Sequence, residues 1–259
     1  CRNRAARSRR LRQLLTVGLL VQRFGASVRG LRNADSGGPN QDAWASGSGR
    51  SGEHVVVCDG LGSRRSSDIG ARAACLAVRR AVREWPGTDR GVGATHLVRL
   101  VEVLWRLLVA PHSPAECATT CAFVIREPSG ALVLAGLGDA LVLLRRADGE
   151  TLRFGGRPAG AFGNETLALG TSHRLDDWWT GVVPSGIGRT VILATDGVSD
   201  DLAEDRYPAF AAWVANDIGA LPPLARRRRL ARELRDWPVP RHSDDKTLAV
   251  LLESEELHS

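Results

Sequence analysis

The sequence reads as an α+β fold, and two observations carry that reading. Short apolar runs bounded by Gly, Asp and Pro recur as strands. Helical patterns come in pairs between groups of strands, without the regular strand–helix alternation of a parallel sheet. The chain has 259 residues, 43% hydrophobic and 25% charged. That is ordinary globular composition, and enough chain for a large core without a disulfide or a structural metal.

In chain order, residues 1 to about 21 read as a basic tail running into a short amphipathic helix. Val21 to Val28 begins an extended segment. Arg32 to Asn40, rich in Gly, Asn, Asp and Pro, reads as a loop, and Ser46 to Gly52 as a Gly/Ser turn. Val55 to Cys58 is a buried strand that stops at Asp59-Gly60. Ser66-Ser67-Asp68 is a helix N-cap signal. Ile69 to Trp85 then repeats apolar residues at helical spacing, and Pro86-Gly87 closes it. Thr95 to Ala110 reads as a second helix. Four strands follow, at Thr119 to Arg126, Ala131 to Leu137, Ala140 to Arg145 and Glu150 to Phe154. The short Gly turns between them predict one antiparallel meander. Residues 155–187 form a long Gly-rich loop region. Thr190 to Ala194 is another buried strand, ending at Asp196-Gly197. Helical patterns cover 200–216 and 222–236, and Thr247 to Leu252 is a last strand. The expected organisation is a tail over 1–21, one domain over 22–253 and a C-terminal tail over 254–259.

Charge and composition exclude several function classes. Thirty-five basic against 29 acidic residues give +6. Six arginines crowd the first dozen positions, and Arg226 to Arg229 form a second cluster. These read as a solvated tail and a solvated helix face, so no nucleic-acid partner is expected. No apolar run approaches the ~20 residues of a membrane span. Five cysteines, with no C-x-x-C pair, argue against a disulfide framework or a zinc ribbon and fit a reducing cytoplasm. Cys117 and Cys121 read as small core residues of one strand. There is no methionine, so the chain reads as a processed product or a fragment. The six histidines are scattered with no zinc spacing, and no P-loop, nucleophile elbow or dinucleotide fingerprint is present. The tryptophans read as packing, and Asp176-Asp177 as a surface loop.

What carries chemistry is aspartate at strand edges. It recurs at Asp42, Asp59-Gly60, Gly138-Asp139, Asp196-Gly197 and Asp244-Asp245. A lone Asp-Gly is an ordinary turn. Five at strand ends converge if those strands share a sheet system. Packed carboxylates repel and raise one another's pKa unless a cation intervenes. Oxygen ligands without histidine select Mg²⁺ or Mn²⁺ over zinc.

These motifs resemble, in order, those of the metal-dependent serine/threonine phosphatases of the type 2C class, in particular a bacterial branch. Gly38-Pro39-Asn40-Gln41-Asp42-Ala43 is similar to the first acidic motif. Val55 to Gly62 is similar to the central Asp-Gly motif and Ala135 to Asp139 to the Gly-Asp motif. Ile192 to Asp200 and Ser243 to Thr247 resemble the last two. The resemblance spans about 22–252. It implies a four-layer αββα sandwich of two mainly antiparallel sheets, with helices 66–85 and 95–110 on one face and 200–236 on the other.

The resemblance also implies hydrolysis of phosphoserine and phosphothreonine in phosphoproteins. The attacking hydroxide would bridge two Mn²⁺ or Mg²⁺ ions, and no phospho-enzyme would form. Asp59 would bridge both ions and the Gly60 carbonyl would ligate one. Asp196 and Asp244 would hold one ion, with Asp245 the alternative if the register slips by one, and Asp42 would act through a bound water. Asp139, Asp196 and Asp200 match a weaker third site of some members. Gln41 stands where many members have glutamate, Leu61 where some have histidine, and Gly37 where some have an arginine that grips the phosphate. Arg32, Arg64 or Arg65 is the candidate replacement. The substrate expected is that of a Ser/Thr kinase, and the protein a monomer. The competing reading is a catalytically inactive relative that serves as a regulatory or phosphoprotein-binding module.

Overall fold

The computed structural model describes residues 18–156, 166–237, 239 and 243–256. Ten strands form two antiparallel five-stranded sheets. Sheet A contains β1 (Gly18–Val28), β10 (Lys246–Glu256), β9 (Thr190–Ala194), β6 (Leu141–Arg145) and β7 (Thr151–Gly155), in that spatial order. Sheet B contains β2 (Asp42–Gly49), β3 (Gly52–Asp59), β4 (Cys121–Arg126), β5 (Leu132–Leu137) and β8 (Trp179–Val183).

Three apolar layers explain why the strands read as continuous apolar runs and not as alternating ones. Val55, Val57, Val124 and Leu134 of sheet B meet Val142, Leu144, Leu193 and Leu251 of sheet A between the sheets. The intervening residues of sheet B, among them Val56, Phe123 and Ile125, face α2 (Ser67–Glu84) and α3 (Ala94–Val109). Those of sheet A, among them Leu143, Ile192 and Val250, face α5 (Tyr207–Trp213) and α6 (Pro223–Arg235). The expected four layers, helices on each outer face included, are therefore present.

Several local expectations are corrected. The expected tail and helix end early, because β1 begins at Gly18 and pairs with β10 along its whole length. Residues 1–17 lie outside the described residues. β10 likewise runs to Glu256, past the expected domain limit at 253. Leu31–Asp35 forms a short helix, α1, inside the expected loop. The Gly/Ser stretch after Trp44 is strand, paired with β3 up to Gly49 opposite Gly52, so the turn is only Arg50-Ser51. The long loop region contains β8, which closes the edge of sheet B. The expected helix at 200–216 is broken into a 3₁₀ turn at Glu204–Arg206, then α5, then a π turn at Val214–Ile218. Cys117 closes a 3₁₀ turn before β4 and does not lie on the strand with Cys121, although both are buried.

The four-strand meander is also corrected. β4 pairs with β5 in sheet B and β6 with β7 in sheet A. Gly138-Asp139 is therefore a crossover between sheets and not a hairpin turn. Gly138 has φ of +101°, a left-handed conformation that glycine adopts at no steric cost. The arginine cluster of α6 is not a uniformly solvated face either. Arg226 is 5% exposed, stacks over Phe24 at 4.6 Å and donates to the carbonyls of Gly219 and Leu221.

Candidate metal centre

The sheets bring the aspartates to one end of the sandwich. β2 and β3 pair Asp42 directly opposite Asp59 at the end of sheet B. β9 ends at Ala194, and Thr195 then leads into α4 (Asp196–Ser199). Asp244 stands just before β10, which pairs with β9. One cavity of about 130 Å³ is lined by Asp59, Gly60, Asp139, Asp196 and Asp244, with Arg32 at its side. Carboxylates from both sheets thus face one space.

Asp42 lies behind this cavity, buried, and accepts a hydrogen bond from the Thr195 hydroxyl at 2.8 Å. Burial pushes its pKa up to about 7, aided by the charges of Asp245 and Asp196 and opposed by the hydroxyls of Thr195 and Thr247. Burial, then the charges of Asp42 and Asp196, holds Asp59 well above the usual carboxylate range. Asp196 is raised by burial and by Asp139, Asp244 and Asp200, while a hydrogen bond from Asp59 works against the rise. The Asp59 main chain is fixed by two threonines. Its N–H donates to the Thr120 hydroxyl at 3.1 Å, and its carbonyl accepts from the Thr119 hydroxyl at 2.9 Å. Gly60 is packed so closely that a Cβ there would lie 2.7 Å from Ser67 and 2.8 Å from the Gln41 carbonyl. Glycine is therefore required at this position in the cavity lining.

Asp244 and Asp245 have separate tasks. Asp244 is half-exposed, lines the cavity and pairs with Arg32 at 3.5 Å. Asp245 is buried and turned away. It accepts from the Gly30 N–H at 2.7 Å, the Asn33 amide at 2.7 Å and the Gln41 N–H at 2.6 Å. It ties the loop that carries Asp42 to the start of β10. The Gln41 side chain turns aside as well, its amide donating to the Ser67 hydroxyl at 2.8 Å. Asp200 is exposed one turn beyond Asp196, and it does not line the cavity.

Of the candidate arginines, only Arg32 reaches the carboxylate cavity, and it does so from the unexpected helix α1. Arg64 lines a larger adjoining groove of about 620 Å³, together with Leu167 and Thr171. Leu61, Gly62 and Thr166 line both spaces. Arg65 is exposed. Sequence reasoning missed Thr195, Thr247, Thr119 and Thr120, which hold the aspartates in place. Their only signal is a hydroxyl residue immediately beside an Asp motif or a strand start.

Among the described residues no three His, Cys, Asp or Glu side chains are drawn together in metal-coordinating geometry. The donor chemistry nonetheless fits a hard divalent cation. Every acidic group lining the cavity is an oxygen donor, and three of the converging aspartates have raised proton affinity. Burial chiefly, and the neighbouring carboxylates after it, raise these groups; a divalent ion would favour their charged forms.

The comparisons with known proteins agree with this fold. The family model described as Protein phosphatase 2C matches residues 29–237. No curated protein matches the chain in sequence. The catalytic domain of the serine/threonine phosphatase PstP, solved with two manganese ions, is 17% identical; 91% of this chain and 99% of that one align with TM-score 0.62. The S. agalactiae serine/threonine phosphatase is 14% identical over 90% of this chain and 99% of that one, TM-score 0.65. RsbX, solved with magnesium, is 12% identical over 92% and 100%, TM-score 0.59.

Proposed function

Because the chain belongs to the protein phosphatase 2C family of serine/threonine phosphatases, we propose that its carboxylate cavity hydrolyses phosphoserine and phosphothreonine esters in proteins with two Mg²⁺ or Mn²⁺ ions. One observation carries the reading: Asp59, Asp139, Asp196 and Asp244, from both sheets, line one cavity that adjoins a larger groove of about 620 Å³. The two manganese ions of the PstP catalytic domain support the count.

Asp59 would hold both ions, with the Gly60 carbonyl a further ligand. Asp196 and Asp244 would complete one site, and Asp42 would reach it through water. Asp139 and Asp200, beside Asp196, would serve a weaker third ion. Bound there, the cations would neutralise the carboxylates, draw in the phosphate and activate water for in-line attack on phosphorus. Arg32 would exchange its contact with Asp244 for the phosphate oxygens, a charge-assisted interaction that guanidinium geometry favours. Leu61 offers no proton, so solvent protonates the leaving alkoxide. Arg64 would meet the substrate beyond the phosphate, in the groove. The substrate would be the product of a Ser/Thr kinase, and the protein a cytoplasmic monomer. No described helix is long and apolar enough to cross a membrane.

The test is hydrolysis of p-nitrophenyl phosphate and of a phosphothreonine peptide with Mn²⁺, Mg²⁺ or EDTA, beside Asp59→Asn. Turnover with metal, none with EDTA and none in the variant is expected. Full turnover by Asp59→Asn would overturn the reading. No turnover and no calorimetric Mn²⁺ binding would favour an inactive regulatory module.

A further inference from the structure

A second pocket, of about 370 Å³, lies where α6 crosses the edge strands of both sheets. Arg23 and Phe24 of β1, Trp44 of β2, and Pro223, Arg226 and Arg227 of α6 line it. It shares no lining residue with the carboxylate cavity. Its size falls at the lower end of small-molecule sites.

Three observations give its ligand a charge and a shape. First, Arg226 is 5% exposed, and its Nε is buried without a hydrogen-bond partner. Its other contacts are neutral, two carbonyls and the Phe24 ring, and among the described residues no carboxylate pairs with it. A buried charge without a counter-charge is costly. Second, the pocket takes in the first turn of α6, which contains no acidic residue. A helix N-terminus is the positive end of the dipole and ordinarily attracts acidic groups. Arg227, exposed beside it, adds another positive charge. Third, Trp44 and Pro223 give the pocket apolar walls, beside the buried Phe24 ring that Arg226 covers. Arg23 differs in having a carboxylate near it, meeting Glu53 at 3.6 Å and the Gly47 carbonyl at 3.2 Å.

We propose that this pocket binds a small organic anion of the nucleoside monophosphate class, its phosphate against Arg226, Arg227 and the first turn of α6, its ring against Trp44. The proposal is independent of the phosphatase reading. The test is isothermal titration of the full chain in EDTA, which removes metal-dependent hydrolysis, with AMP, adenosine and inorganic phosphate as probes. AMP should bind at one site, more tightly than either fragment. Arg227→Glu should weaken AMP by at least about tenfold, the scale of one lost charged contact, and Arg227→Gln by less. Asp59→Asn should leave the affinity unchanged. No heat at millimolar AMP, equal affinity in Arg227→Glu and Arg227→Gln, or adenosine binding as tightly as AMP would overturn the proposal. Loss of binding in Asp59→Asn would also overturn it, by placing the nucleotide in the carboxylate cavity.

Discussion

Adjacent aspartates at the start of β10 do opposite work, and that makes them separable by experiment. Asp244 faces the cavity, whereas Asp245 spends its oxygens on Gly30, Asn33 and Gln41. Asp244→Asn should abolish one calorimetric Mn²⁺ site with little change in urea stability. Asp245→Ala should strand one buried and two half-buried donors and cost about 2 kcal/mol of stability, read from urea unfolding. The sequence placed the metal ligand at Asp244 or, one register later, at Asp245. Pattern alone does not decide between neighbours, because both precede the strand and only the packing says which side chain lines the cavity.

At the scale of elements, the misreadings share a cause. β2 contains Ser46, Gly47, Ser48 and Gly49, composition that favours turns. It is a strand because β3 supplies its hydrogen bonds through Gly49. Gly138-Asp139 looks like a hairpin turn, yet the strands it joins lie in different sheets. Pairing partners distant in sequence leave no local trace. The Asp motifs were legible because each is a local signature at a strand end, and helices α2 and α3 because their apolar spacing is regular. Arg226 illustrates the opposite case. In sequence it is one of four consecutive arginines; in the structure it caps the Gly219 and Leu221 carbonyls under Phe24. Arg226→Ala should therefore cost about 2 kcal/mol in urea unfolding, from the lost charged hydrogen bonds and the cation–π contact. Arg228→Ala, at an exposed neighbouring position, should cost almost nothing.

For the whole molecule, the carboxylate end sets a pH dependence of stability in the absence of metal. Asp42 has its pKa raised to about 7 from 3.8, and Asp59 and Asp196 shift the same way, all chiefly through burial. Between those two pH values the folded state holds protons that the unfolded state has lost. For these groups stability then falls as pH rises from about 4 to 7. The midpoint of thermal unfolding in EDTA should be lower at pH 7.5 than at pH 5.5. Saturating Mn²⁺ at pH 7.5 should recover the loss, because ligand binding to the folded state adds stability by mass action. A midpoint that rises from pH 5.5 to 7.5 in EDTA would contradict the burial of these groups.

The opposite end of the sandwich is built with the charges reversed in effect. Glu253, fully buried on β10, meets Arg126 of β4 at 2.7 Å and Arg189 at 2.6 Å, and Arg189 continues to the Gly130 carbonyl at 2.6 Å. β10 thus begins beside mutually repelling aspartates and approaches its far end in an attractive ion triad that joins the two sheets. The sandwich resembles a book with a sewn spine at Glu253 and, on the proposed function, a clasp at Asp59 and Asp244 that a cation would fasten. Stripped of metal, it should open from the clasp. Amide hydrogen exchange in EDTA should quicken around Asp59, Thr195 and Lys246 well before it quickens around Arg126 and Glu253, and Mn²⁺ should close that gap.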